Sequence, residues 1–201
     1  AIVSKTLGEG KKEKAREYVM QLLNSAENEC LICDPYFKKE DFEKYIFFME
    51  KLDVKVRIIN SEKQLGNISA PDSEDYLLKL NDCINYYNRK VGREVAECRS
   101  LTKNLSIHDR FIIIDDCGWL IGSSLNEFGN RASSICKIPQ GSLEYMRKNF
   151  ERWWNDTENS ESLDGYIQRK VKLNASQEGK LLKHITHLTR VLNSLKSQLA
   201  K

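Results

Sequence analysis

Apolar residues recur along this chain in two rhythms, and the rhythms alternate. Between residues 11 and 27, Ala15, Tyr18, Val19, Leu22, Leu23 and Ala26 return at intervals of three and four, which places them on one face of a helix. Glu29 to Asp34 is a short apolar run closed by Pro35, the pattern of a strand running into a turn. Phe42 to Leu52 predicts a second helix with Tyr45, Ile46, Phe48 and Met49 inward, and Val54 to Ile59 a second strand. Residues 60–72, with Gly66, Asn67, Ser69 and Pro71, read as a loop. A third helix follows from Ser73 to Lys90 through Tyr76, Leu77, Leu80, Ile84 and Tyr87, and Glu94 to Ser100 alternates as a strand. Phe111 to Ile114 is an unbroken β-branched and aromatic run, as expected of a strand covered on both faces. Asp116-Cys117-Gly118 is a turn signal, and Trp119-Leu120-Ile121 the returning strand. Ser133 to Ile138 predicts one more strand. Pro139 then introduces a helix to about Asp156, showing Leu143, Met146, Phe150 and Trp153-Trp154 on one face.

Strands that alternate with helices in this way predict an α/β fold, a mixed central sheet with helices on both faces. Residues 155–165 are polar and break the pattern, so the expected organisation is a domain over 1–156, a linker over 157–175 and a C-terminal helix over 176–201. That last helix carries a heptad seam, with Ile185, Leu192 and Leu199 at one core position and Leu181, Leu188 and Leu195 at the other. The seam predicts self-association as a homodimer or higher homo-oligomer. The other reading docks the helix on its own domain, which Leu182 and Val191 favour by widening the stripe. His184 and His187 lie off the seam and are assigned no chemistry.

Composition narrows the picture only a little. The chain has 201 residues, 40% hydrophobic, and a formal net charge of +3, which neither requires nor opposes a nucleic-acid partner. No apolar run approaches the roughly 20 residues needed to span a bilayer. No secretory pattern opens the sequence, and the first residue, Ala1, is expected of a processed chain or a fragment. Six cysteines then read as reduced thiols of a cytoplasmic protein. Cys30 and Cys33 form a lone pair inside a predicted strand, where their side chains face opposite ways, so no metal site is expected.

The chemistry concentrates in residues 106–131. His108 and Arg110 precede the buried run at a period of two, so their side chains share a face. A hairpin returns Gly122, Ser123, Ser124 and Asn126 to the same end. An imidazole, a guanidinium, hydroxyls and an amide then meet, which suits a phosphate: arginine matches its oxygens bidentately and the others are neutral donors. Arg110 has a second reading as an ion-pair partner of Asp109, Asp115 or Asp116, and His108 as a satisfied histidine at a strand start. Asp115, at the strand end beside a turn, reads as structural or orienting. Gly122 reads as a position of special backbone conformation or close chain approach. Asp34 and Tyr36 follow a strand end, where ligand sites of α/β sheets gather, and with Ser124 and Glu127 are candidate pocket-wall residues. The paired tryptophans read as packing, with nucleobase stacking as the alternative.

This stretch resembles the phospholipase D superfamily signature: His, any residue, Lys, four residues, Asp, six residues, Gly-Ser and then Asn. Here His108, Arg110, Asp115 and Gly122-Ser123 stand at that spacing, and Asn126 falls one place late. Arg110 replaces the lysine and Leu125 takes the usual asparagine position. The resemblance implies a phospholipase D-like fold and a phosphodiesterase, with a nuclease as the member type nearest in pattern. It also implies a mechanism without metal or cofactor, in which one histidine attacks phosphorus and a second protonates the leaving oxygen. Members with one motif pair two copies, so His108 of each would serve, with Arg110, Ser123 and Asn126 holding the phosphate. The implied partner is DNA or RNA. A degenerate member that only binds phosphates of nucleic acid or of anionic lipid, and a module whose output is assembly, are the alternatives.

Overall fold

In a computed structural model, which describes residues 4–8, 10–62, 76–102 and 107–199, eight strands form one sheet. In chain order the elements are β1 (Ser4–Leu7), α1 (Lys12–Leu23), β2 (Glu29–Cys33), α2 (Lys39–Tyr45) with a 3-10 turn Ile46–Phe48, and β3 (Lys55–Ser61). There follow α3 (Tyr76–Val91), β4 (Ala96–Leu101), β5 (Phe111–Ile114), β6 (Cys117–Ile121), β7 (Ser133–Lys137), α4 (Gln140–Trp154), β8 (Ser160–Ser162) and α5 (Leu163–Leu199). The strand order is β1-β7-β6-β5-β2-β3-β4-β8. β2, β3 and β4 run parallel, and every other neighbour pair is antiparallel, so the expected mixed sheet is what forms. The expected loop at 60–72 lies mostly outside the described residues, as do the first residues of the third helix.

Alternation along the central strands sorts the core into two layers. Leu31 and Cys33 of β2, Ile59 of β3, and Phe111 and Ile113 of β5 pack with Leu143, Phe150 and Trp154 of α4. Trp154 stacks on Phe150 and Trp153 lies against Phe111, so both tryptophans are occupied in packing. The opposite parity, Cys30, Ile32, Ile58 and Ile112, is as fully buried. β5 thus buries both faces, which explains its lack of a polar alternation.

Four elements differ from the pattern-based expectation. The second helix starts earlier and ends by tightening into a 3-10 turn, where the Met49 amide donates to the Ile46 carbonyl at 3.2 Å. That tightening rotates the face, so Phe48 is 58% exposed and Phe47 points inward, edge-on to Phe42 and Tyr87. β1 was not expected, since an edge strand with one buried residue, Leu7, shows no period. The stretch read as a linker over 157–175 holds β8, paired with β4, and the first turns of α5. Its polarity reflected an edge strand and an exposed helix, not irregular backbone. The chain divides into two compact units, Ala1–Leu163 and Asp164–Lys201. In α5, Leu181, Ile185 and Leu188 of the heptad seam are exposed.

One glycine ties the loop after β6 to α1. Gly129 has φ +88°, and a Cβ there would stand 2.6 Å from the Ala15 Cβ and 3.0 Å from the Lys11 carbonyl oxygen. The Lys11 amide donates to the Gly129 carbonyl at 2.9 Å, so the contact cannot simply open. Gly129→Ala is expected to cost about 2 kcal/mol, read as a lower urea midpoint at unchanged slope.

Candidate functional site

The β2–β5–β6 ladder brings the polar residues together. Cys33 is opposite Phe111, so the next residues outward, Asp34 and Arg110, face each other across β2 and β5. The Ile121 amide donates to the Arg110 carbonyl at 2.8 Å, which sets the end of β6 and the Gly122-Ser123-Ser124 loop beside Arg110. Asp34 ends β2 where its amide donates to the Ile59 carbonyl of β3 at 3.0 Å. The site therefore sits outside the carboxyl ends of two parallel strands, where backbone groups run out of ladder partners.

Asp34 is the centre of the arrangement and is 1% exposed. Its Oδ1 accepts the Tyr36 amide at 3.0 Å and its Oδ2 the Leu125 amide at 2.7 Å. Arg110 Nε stands 4.0 Å from Oδ1, too far for a hydrogen bond, and its guanidinium carbon lies 5.3 Å from the Tyr36 ring centre. Arg110 Nη1 donates to the His108 carbonyl at 3.5 Å. The carboxylate beside Arg110 is thus Asp34, and the ion pair expected with Asp109, Asp115 or Asp116 does not form. Arg110 Nε and Ser123 Oγ are buried with no hydrogen-bond partner among the described residues. Ser124 Oγ donates to Asn126 Oδ1 at 2.5 Å, which leaves the Asn126 amino group as its remaining donor. His108 is exposed.

Burial pushes the Asp34 carboxyl up to about 6, against the opposing pull of the two amides and of Arg110. Behind it, burial pushes Asp41 of α2 up to about 7, the Lys38 amide opposing and the charge of Asp34 adding to the rise. Asp41 takes the Lys38 amide on Oδ2 at 3.1 Å. The Tyr45 hydroxyl donates to the Leu125 carbonyl at 3.4 Å, so both backbone groups of Leu125 are held.

Asp34, Tyr36, Arg110, Ser123, Ser124 and Asn126 are therefore one group, with His108 two residues from Arg110. Three other expected residues stand apart from it. Asp115, at the far end of β5, accepts the Glu27, Asn28 and Glu29 amides on its carboxylate. Glu127 is exposed and its carboxylate takes the Asn130 side-chain amide at 3.0 Å. At Gly122 a Cβ would stand 3.1 Å from Ser133 Oγ of β7, a close approach, and the Gly122 amide donates to the Ser134 carbonyl at 2.9 Å. Sequence reasoning missed Asp41, Tyr45 and the Leu125 backbone. Only the displaced Leu125 in the motif hinted at the last.

The described residues contain no group of three or more His, Cys, Asp or Glu placed as metal ligands. Among them no helix is long and apolar enough to cross a membrane. The group gathers a partly exposed guanidinium, a Ser123 hydroxyl buried without a partner, an amide and an exposed imidazole, donors of the kind a phosphate accepts.

Residues 19–154 match a family described as cardiolipin synthase, PLD-like domain. Solved structures of similar fold include Nuc, a phospholipase D family member from Salmonella typhimurium, at 18% identity and TM-score 0.55, over 79% of this chain and 96% of that one. NucT from Helicobacter pylori matches at 16% identity and TM-score 0.51, over 74% and 93% respectively. A phosphatidylserine synthase from Haemophilus influenzae Rd KW20 matches at 17% identity and TM-score 0.57, over 82% of this chain, which spans only 41% of the synthase. No curated protein matches the chain in sequence.

Proposed function

Because the chain belongs to the cardiolipin synthase, PLD-like domain family, we propose that it is a metal-independent phosphodiesterase that cuts nucleic acid through a histidine-bound phosphoryl intermediate. The observation that carries this is the Arg110 guanidinium, held between Tyr36 and Asp34 with Nε still lacking an acceptor, two residues from an exposed histidine. A phosphodiester seated there places its non-bridging oxygens on Arg110, Ser123 and Asn126. Charge gathering on those oxygens during attack is met by donors already in position. An imidazole nitrogen of His108 bonds to phosphorus as the P–O bond to the leaving strand breaks, and that oxygen takes a proton from a second imidazole. Water then cleaves the N–P bond, giving up a proton to the second imidazole and releasing the phosphate end.

The second imidazole comes from His108 of another copy. The chain has three histidines, and the other two, His184 and His187, lie on α5. The exposed heptad residues Leu181, Ile185 and Leu188 support pairing of two copies. Nucleic acid is taken as the substrate class because the motif resembles nuclease-type members; the chain also spans nearly all of Nuc and NucT but under half of the synthase.

Two observations favour a second reading, a module that binds phosphate without turnover. Asp34 already neutralises part of the Arg110 charge, and Leu125 stands buried where the motif has asparagine. Incubating the full chain with end-labelled single-stranded DNA, RNA and anionic vesicles in excess chelator separates the two. Cleavage of DNA or RNA with chelator present is the expected result. Salt-dependent binding without products gives the module instead.

A further inference from the structure

The site holds a carboxylate where an anion site would be expected to hold none. Asp34 is sealed beneath Arg110 and carries two backbone amides, yet leaves the guanidinium 4.0 Å away with Nε unused. Nε itself is buried, but the Arg110 side chain is 24% exposed, and an anion settling on its outer nitrogens becomes a second negative charge sharing one guanidinium. Two like charges so placed cannot both persist cheaply, and the one able to take a proton does so. Resting on the phosphate reading of this site, we propose that Asp34 governs its anion affinity: a phosphodiester and a proton are taken up together, the proton by the Asp34 carboxylate as the phosphate replaces it beside Arg110.

The surroundings favour uptake at Asp34 rather than release from a neighbour. The titratable groups that bear on it are Arg110 before β5, Asp41 and Tyr45 of α2, and Cys33 on its own strand. Burial holds Cys33 and Tyr45 neutral at ordinary pH, raising both well above their usual ranges. Asp41, itself raised to about 7 by burial with the Asp34 charge adding to the rise, is the other carboxyl that can hold a proton here, and the Asp41→Asn variant separates the two. Arginine keeps its proton throughout. Asp34 itself is already raised to about 6 by burial before any anion arrives, so a modest further rise leaves it protonated at neutral pH.

The sign follows from linkage. A ligand that raises a group's pKa binds more tightly where the group is protonated. Affinity is then level below about pH 6 and falls about tenfold per pH unit above it, until the pKa of the bound state is reached.

The test is made in the His108→Gln chain, which cannot cleave by the proposed route. Binding of a tetramethylrhodamine-labelled oligothymidylate, whose phosphodiesters and bases do not titrate between about pH 5 and 8, is followed by anisotropy. The affinity is expected to fall with rising pH as above in His108→Gln and in His108→Gln/Asp41→Asn. In His108→Gln/Asp34→Asn it is expected to be high and level. Asparagine keeps one acceptor for the two amides but not both, and that variant could fail to fold. Titration calorimetry of His108→Gln in buffers of different ionisation enthalpy therefore measures the proton directly: about one taken up per site near pH 7, and about none near pH 5. Binding that depends on Arg110 but shows no uptake, or keeps its slope in Asp34→Asn, overturns the coupling and leaves the phosphate site standing. Absence of binding, or binding indifferent to Arg110→Ala, removes the phosphate site and the coupling with it.

Discussion

Replacing His108 with alanine is expected to lower phosphodiester cleavage by roughly four to six orders of magnitude, the range seen when a covalent nucleophile is removed. The loss should fall on kcat. Of the groups proposed to seat the phosphate, Arg110 and Asn126 keep their places without the imidazole, because their side-chain contacts run to Asp34, Tyr36, Ser124 and the His108 backbone carbonyl. His108 is exposed and precedes β5 outside the ladder, so its loss should move the unfolding midpoint by less than about 0.5 kcal/mol in stability. A folded protein that still binds and no longer cuts is the signature of a nucleophile rather than of a prop. Mixed dimers carry the argument further. If one cut needs His108 from both copies, re-pairing wild type with an equal amount of His108→Ala leaves about a quarter of the activity per total dimer. If each copy cuts on its own, about half remains. Cleavage that survives in His108→Ala belongs to some other residue or protein, and the histidine mechanism goes with it.

Sequence showed the scaffold because its cues are local. The Phe111–Ile114 run, a turn close by (at Asp115-Asp116, with the expected turn residues Cys117 and Gly118 already in β6) and the spaced stripes of α1, α3 and α4 each declare themselves within a few residues. From them the hairpin, and with it the meeting of Arg110 with the Ser123–Asn126 loop, could be read directly. What stayed hidden is set by pairings of long sequence separation. Nothing near Asp34 announces that Leu125, 91 positions on, will donate its amide to it. Nor does a polar residue reveal that it is buried: Asp41 lies on the covered side of α2 among aromatic residues, and a periodicity count sees only Phe42 and Tyr45. Arg110 shows the same limit from the other side. Three nearby aspartates in sequence looked like partners, and the one that reaches it comes from a different strand. Edge elements such as β1 and β8 failed for a related reason, since exposure removes the apolar alternation that marks a strand.

The hairpin's other aspartate sets up a second large effect, on folding. Asp115→Ala is expected to cost about 3 kcal/mol, from two sources of similar size. Asp115 has φ +46°, a conformation in which a Cβ-bearing residue other than Asn or Asp is strained. Its carboxylate also caps three successive amides, Glu27, Asn28 and Glu29, where the chain enters β2, and alanine leaves them without that acceptor. Arg147 of α4 closes the same corner, bonding both the Asp115 carbonyl and the Glu29 carboxylate. Asp115→Asn keeps the backbone tolerance and one acceptor, so it should fall between alanine and wild type in a urea titration. The pH dependence separates this carboxylate from Asp34. Partial burial works against its charge, but the three amides outweigh that and hold its pKa below the usual aspartate range. A depressed folded-state pKa contributes stability above the unfolded value, and that stability drains away as pH falls through the folded value. The acid limb of the stability profile should therefore flatten in Asp115→Ala. The Asp34 contribution has the opposite sign: its raised pKa stabilises most below the unfolded value and is lost as pH rises through about 6. Binding per folded molecule should be unchanged in Asp115→Ala, because β5 separates that corner from Arg110 by its full length. An Asp115→Ala chain as stable as wild type, or one that folds and loses phosphate binding, would move this residue out of the framework and into the site.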